Sequence, residues 1–287
     1  MLKTLCIKTN KLMKKESILS IGLSILTVLF FVNISIAQST LELAKASQNP
    51  VMNMYNFPFQ NNTNYGVGPH KRTQNILNIQ PVIPIALGSK INMINRIIVP
   101  VITQPSSTED NSSTGIGDIL YTAWLSPAKN SKFIWGLGPV IQLPTSSSSE
   151  FGSGEFGIGP SVVLLTMINK WVAGAVINNI RTFGELSTNK FFINYFVNYN
   201  MRDGWYLVTA PIVTANWNAE DNQKWLVPFG GGIGKVVKLG GKLPLSMQVQ
   251  AFYNAIKPDG MGDWQTRFQL HFMFPTKSMK DKMKAAK

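Results

Sequence analysis

The sequence predicts an all-β fold: a transmembrane antiparallel β-barrel of about twelve strands, with about ten to fourteen as the bounds. Three observations predict it. Of 287 residues, 45% are hydrophobic and only 14% are charged, against roughly 25% charged in an ordinary soluble domain. Apolar and polar residues alternate with a period of two along much of the chain, as strands with two different faces require. The connections between these runs are short and long by turns, and charge is sorted between the two sets. With 23 Gly, 16 Pro and 10% aromatic residues, the chain has too many turn formers for a helical bundle and is too apolar for disorder.

The first 37 residues are expected to be a secretory signal peptide. Lys3, Lys8, Lys11, Lys14 and Lys15 precede an apolar run over 18–32, and the segment closes on Ser35-Ile36-Ala37. Basic, apolar and small residues in that order mark an export leader, and the run is shorter than the roughly 20 residues of a membrane-spanning helix. Either Met1 or Met13 serves as the start. Cleavage between Ala37 and Gln38 removes five lysines, Glu16 and the single cysteine, Cys6, so the net charge falls from +13 to +9. An exported chain without cysteine has no disulfide framework, no thiol nucleophile and no Cys-ligated metal.

Residues 38–56 are less strand-like. A short helical candidate at 41–47 precedes Asn49-Pro50, and this segment is expected to tuck into the lumen as a plug. The barrel is expected over 57–275, in strands at 57–67, 73–86, 91–104, 115–126, 132–144, 155–167, 170–182, 190–200, 203–216, 223–237, 242–256 and 263–275. Most reach the ~9–11 residues of a tilted membrane strand. The last is the clearest: Trp264, Thr266, Phe268, Leu270, Phe272 and Phe274 alternate with Gln265, Arg267, Gln269, His271 and Met273. Leu245, Met247, Val249, Ala251 and Tyr253 alternate in the same way with Ser246, Gln248, Gln250, Phe252 and Asn254.

Short links are expected at 88–90, 127–131, 168–169, 201–202 and 238–241, and longer ones at 105–114, 145–154, 183–189, 217–222 and 257–262. That alternation matches the periplasmic turns and outer loops of bacterial barrels. The longer loops and their edges hold Glu109, Asp110, Glu150, Glu155, Glu185, Glu220, Asp221, Asp259 and Asp263. The short side holds Lys90, Lys129, Lys132, Lys170, Arg202, Lys238 and Lys242, with Asp203 its one acid. In the tail, 276–287, five lysines against Asp281 account for +4, which leaves +5 on 38–275. The bases form no patch interleaved with aromatics, so nucleic acid is not an expected partner.

Arg96, Arg181 and Arg267 lie within strands and, by alternation, are expected to face the lumen with Asn78, Gln142, Asn178, Gln248, Gln250 and Asn254, Asp118 being placed to pair with one of them. Two readings stand beside each other: a selectivity lining that orients the solute, and a hydrogen-bonded polar core that holds the barrel shut. His271 shares the polar face of the last strand, as a filler of the lumen or a catalytic base. Only one other histidine, His70, is present, and no metal site is expected. Gly152 to Gly157 spells G-x-G-x-x-G, but it opens a strand and not a helix and reads as an outer loop. The seven tryptophans cluster near strand ends, where interface girdles place them.

Several segments are familiar as words. L-A-K-A-S-Q-N-P-V (43–51), N-F-P-F-Q-N-N-T-N-Y-G-V-G-P (56–69), T-Q-N-I-L-N-I-Q-P-V-I-P-I (73–85), G-I-G-D-I (115–119) and W-G-L-G-P-V-I-Q-L-P-T (135–145) come first. G-E-F-G-I-G-P-S (154–161), K-P-D-G-M-G-D-W (257–264) and R-F-Q-L-H-F-M-F-P (267–275) follow. Together they resemble the bacterial outer-membrane family named for the meta-pathway of phenol degradation, whose members are also labelled transporter or neuromedin U. The resemblance implies an outer-membrane barrel for uptake of small hydrophobic or aromatic compounds, without enzymatic activity or cofactor. Its expected partners are outer-membrane lipids and lipopolysaccharide, the barrel-assembly machinery and the solute. A lipid-active outer-membrane enzyme and a structural barrel without transport are the alternatives.

Overall fold

The computed structural model describes residues 37–106, 111–129, 132–185, 187–241 and 243–276. The expected leader up to residue 36 and the tail from 277 lie outside them. A helix, α1 (Ala37–Ser47), comes first. Fifteen strands follow: β1 (Met54–Val67), β2 (Arg72–Ile79), β3 (Val82–Leu87), β4 (Ile91–Pro105), β5 (Ser112–Ile116), β6 (Ile119–Pro127), β7 (Phe133–Leu143) and β8 (Gly157–Ile168). Then come β9 (Trp171–Thr182), β10 (Asn189–Asn200), β11 (Trp205–Thr209), β12 (Ile212–Asn216), β13 (Trp225–Leu239), β14 (Leu243–Ile256) and β15 (Trp264–Pro275).

These strands make one antiparallel sheet that closes on itself as β1 pairs with β15, from Met54 opposite Pro275 to Tyr65 opposite Trp264. Closure removes the sheet edges, which a membrane interior cannot solvate. The fifteen strands form twelve staves, because β2 with β3, β5 with β6 and β11 with β12 each run along one stave. The continuous strands expected at 73–86, 115–126 and 203–216 are thus each interrupted. Pro81 and Pro211 have no N–H to give the ladder. At the first break the backbone is nonetheless satisfied: Gln80 N donates to Pro58 O at 2.8 Å and Ile97 N to Pro81 O at 3.1 Å. At Gly117 the chain bends between β5 and β6, its N–H donating to Pro100 O at 2.9 Å.

The alternation sets the faces as expected. Along β14, Val249 and Tyr253 are exposed on the outside while Gln250, Phe252 and Asn254 are buried inside. Exposed apolar residues such as Ile83, Leu164, Val197, Phe229 and Phe268 continue the outer belt. Aromatic residues stand near both rims. Tyr253 meets Trp264 and Trp217 meets Trp225 toward the long loops, and Trp171 meets Tyr199 beside a short turn. An outer apolar band between aromatic girdles is the surface of a membrane-spanning barrel. Trp124 departs from the expected girdle: only 1% exposed, it points inward and donates from Nε1 to Ser161 Oγ at 2.9 Å.

Both ends of the barrel chain, Met54 and Pro275, lie at the rim of the short turns. The rim of long loops carries exposed Glu150, Glu220, Asp221, Asp259 and Asp263. Two of these are paired: Asp221 with Lys224 at 2.6 Å and Asp263 with Lys257 at 2.7 Å. Each ammonium holds its carboxyl below the ordinary carboxylate range.

The core lies inside the barrel. Leu43, Ala44 and Ala46 of α1, with Val51 and Met54 after it, share one buried cluster with Ile94, Trp124, Val163, Leu165, Val172, Phe196 and Tyr206 of the inner wall. Gln48 and Asn200 join their amides reciprocally, Gln48 Nε2 to Asn200 Oδ1 at 2.9 Å and Asn200 Nδ2 to Gln48 Oε1 at 3.1 Å. Asn200 ends β10 at a short turn, so this pair ties the segment after α1 to that rim.

Candidate lumen site

A cavity of about 140 Å³ lies between the segment after α1 and the inner wall. Met52, Val82, Val176, Phe196 and Val208 supply apolar lining, with Arg96 the cross-strand neighbour of Val82 and Asn194 that of Val176. Much of the polar lining is built by the inward positions of β1, β4, β14 and β15, whose cross-strand partners line up side by side. Gln248 faces Gln269, and Gln269 faces Gln60.

These amides form a directed chain. Tyr206 Oη donates to Gln248 Oε1 at 3.1 Å, Gln248 Nε2 donates to Gln269 Oε1, and Gln269 Nε2 donates to Gln60 Oε1 at 2.8 Å. Gln60 Nε2 then donates to Asn62 Oδ1 at 3.3 Å, where the chain meets Arg267 Nε at 2.7 Å. Arg267 is 2% exposed. Its Nη1 donates to Ala210 O at 2.6 Å and its guanidinium lies 5.1 Å from the Phe252 ring centroid. The Ala210 carbonyl is available because the stave breaks there before Pro211.

Arg96 donates from Nη2 to Gln80 Oε1 at 2.7 Å and stands 6.0 Å from the Trp124 ring centroid. His271 lines the same cavity, with both ring nitrogens shut off from solvent and without a hydrogen-bond partner. Its cross-strand neighbour is Ser246, whose hydroxyl bonds Tyr206 Oη at 2.9 Å. Tyr206 reaches inward over Gly234, where a Cβ would stand 2.2 Å from the phenol ring. Glycine is what that crossing needs.

Of the residues expected in the lumen, Arg96, Gln248, Arg267 and His271 meet at this cavity. Gln250 is buried beside Arg267, its cross-strand partner, but does not line the cavity, and neither end of its amide has a partner. Asp118 and Gln142 form a separate centre toward the long loops. Among the described residues, Asp118 pairs with no arginine. Its carboxylate accepts from Ser146 N at 3.1 Å, Ser153 N at 2.8 Å, Gly154 N at 3.2 Å and Gln142 Nε2 at 3.2 Å. The G-x-G-x-x-G stretch is therefore an outer loop whose backbone N–H groups at Ser153 and Gly154 are spent on the chain's own Asp118 carboxylate.

Arg181 is the correction. It is exposed on the outer face of β9, between buried Ile180 and Thr182. Counting in twos from exposed Trp171 along β9 reaches Arg181, so the signal was present. The lumen residues Gln60, Asn62, Gln80 and Gln269 were missed as candidates, although Gln269 shares the polar face with Arg267. Trp124 between Thr122 and Ser126 carried a similar warning.

No family model and no curated protein matches this sequence. Solved structures do match in fold. An outer membrane channel from Pseudomonas putida F1 is 16% identical at a TM-score of 0.58, covering 77% of this chain and 94% of that one. The β domain of the Bordetella autotransporter BrkA is 9% identical at a TM-score of 0.47, over 78% and 99% of the two chains. Outer membrane phospholipase A from Escherichia coli is 13% identical at 0.36, over 77% and 95%. At 16% identity the likeness to the channel is one of fold, and what this chain has in common with it is the closed antiparallel barrel.

Proposed function

We propose that the chain, released from its leader between Ala37 and Gln38, stands in the outer membrane of a Gram-negative bacterium and passes small apolar or aromatic solutes through its lumen. The short turns face the periplasm, the acidic long loops face outward among lipid and lipopolysaccharide, and the barrel-assembly machinery inserts it. Residues 38–53 serve as the plug of the inner end. The observation that carries this reading is the cavity between the segment after α1 and the inner wall, lined by apolar and hydrogen-bonding side chains together, the mixture that small-molecule sites use. The resemblance noted in the sequence supports the same solute class.

The test compares the mature chain with a variant lacking 38–53 in planar bilayers and in solute-loaded liposomes. The shorter chain is expected to conduct roughly several-fold more and to admit the solute faster. Nil conductance and nil uptake in both forms would overturn passage and leave a structural barrel. A lipid-active enzyme needs a nucleophile in contact with its base. Ser246 stands opposite His271 but gives its hydroxyl to Tyr206, and this favours passage over hydrolysis.

A further inference from the structure

Two guanidinium groups border the lumen cavity, and neither forms an ion pair with a carboxylate among the described residues. Arginine stays charged in a protein, and a buried charge without a counter-charge is costly. The neighbouring amide chain does not supply one. The carbonyls of Gln60, Asn62, Gln80, Gln248 and Gln269 are already engaged as acceptors. Arg96 has a single hydrogen bond, through Nη2, so its other N–H groups remain to meet an acceptor. Arg267 uses Nε and Nη1 and keeps Nη2. The cavity lining therefore presents positive charge and spare guanidinium N–H groups toward whatever enters. Val82, Val176, Phe196 and Val208 add hydrocarbon to the same lining, and the volume of about 140 Å³ is close to the ~150 Å³ at which an apolar cavity takes up benzene.

We propose that this cavity is a binding site for a small aromatic acid, with the guanidinium groups of Arg96 and Arg267 meeting the carboxylate and Val82, Val176, Phe196 and Val208 meeting the ring. A guanidinium fork matches a carboxylate in plane and charge, and one ring fills the space left beside it. This deepens the passage reading above and rests on it: the lumen prefers the ionised acid to a neutral compound of equal size.

The experiment measures binding of sodium benzoate and of benzyl alcohol, two probes of one size, to the detergent-solubilised mature barrel by titration calorimetry at pH 7. Wild type is expected to prefer benzoate by tenfold or more. That preference should fall toward parity in Arg96→Gln and in Arg267→Gln, and Arg96→Lys should retain part of it. Heat-modifiable migration on gels verifies that each variant is folded, and the wild-type comparison needs no variant. Equal affinity for the two probes, or a benzoate preference that survives both glutamine substitutions, would overturn the site while leaving passage of neutral solutes standing. Absence of binding and of liposome uptake for both probes would remove the passage reading and this site together.

Discussion

Arg267 and Asp118 illustrate how single residues work in this barrel. Arg267 sits on a strand position that alternation turns inward, and its charge is held by Asn62, by the carbonyl freed at Ala210 and by the Phe252 face. None of these neutralises it, so it remains available to an anion. Asp118 is the opposite case: five backbone and side-chain groups of the 142–154 region converge on its carboxylate. Hydrogen bonds to charged groups contribute about 1.5–3 kcal/mol each at most, and loss of several at once releases the loop. Asp118→Ala is expected to make the 144–156 loop the first site of cleavage by a protease added from outside. Limited proteolysis of the reconstituted barrel checks this, and a cleavage rate equal to wild type would contradict it.

Helix α1 is the element whose place depends on the rest of the fold. Eleven residues are too few for a helix to persist alone in water. Its stability comes from burying Leu43, Ala44 and Ala46 against the inner wall. Leu43→Ala removes a buried side chain, a change that typically costs about 2–5 kcal/mol. Here the expected cost falls on docking of the helix, since the barrel ladder does not pass through it. Hydrogen exchange on the micelle-bound protein should therefore find amides 41–48 protected in wild type and exchanging faster by about an order of magnitude or more in Leu43→Ala, with β14 unchanged. Fast exchange of 41–48 in wild type would contradict the docking.

At the scale of the whole molecule, one surface faces lipid and the other fills the lumen, and neighbouring residues on a strand answer to different solvents. Val249 is 50% exposed at the middle of β14, and Leu239 is 44% exposed at the end of β13 beside a short turn. On the lipid face, an arginine costs about 2–4 kcal/mol near the bilayer midplane and about 0–1 near the interface. Val249→Arg should thus lower folding stability in vesicles by the larger amount and Leu239→Arg by the smaller, measured by reversible unfolding in denaturant. Equal costs at the two depths would argue against the span inferred from the belt and the aromatic rims.

Much of this was legible in the chain itself. A period of two needs only local residues, so the staves, their faces, the alternation of short and long links and the sorting of charge all followed from the order of amino acids. Even the neglected parity of Arg181 and Trp124 was written there. The breaks at Gln80-Pro81, Gly117-Asp118 and Ala210-Pro211 were not read as interruptions, because alternation continues across them. What only the tertiary structure decided is which inward residues meet. Arg96, Phe196, Arg267 and the segment after α1 come from distant parts of the chain, and closure of β1 on β15 brings them around one cavity. Inwardness is a property of a strand, whereas proximity across a lumen depends on stagger, on the breaks and on what occupies the middle, none of which local periodicity encodes.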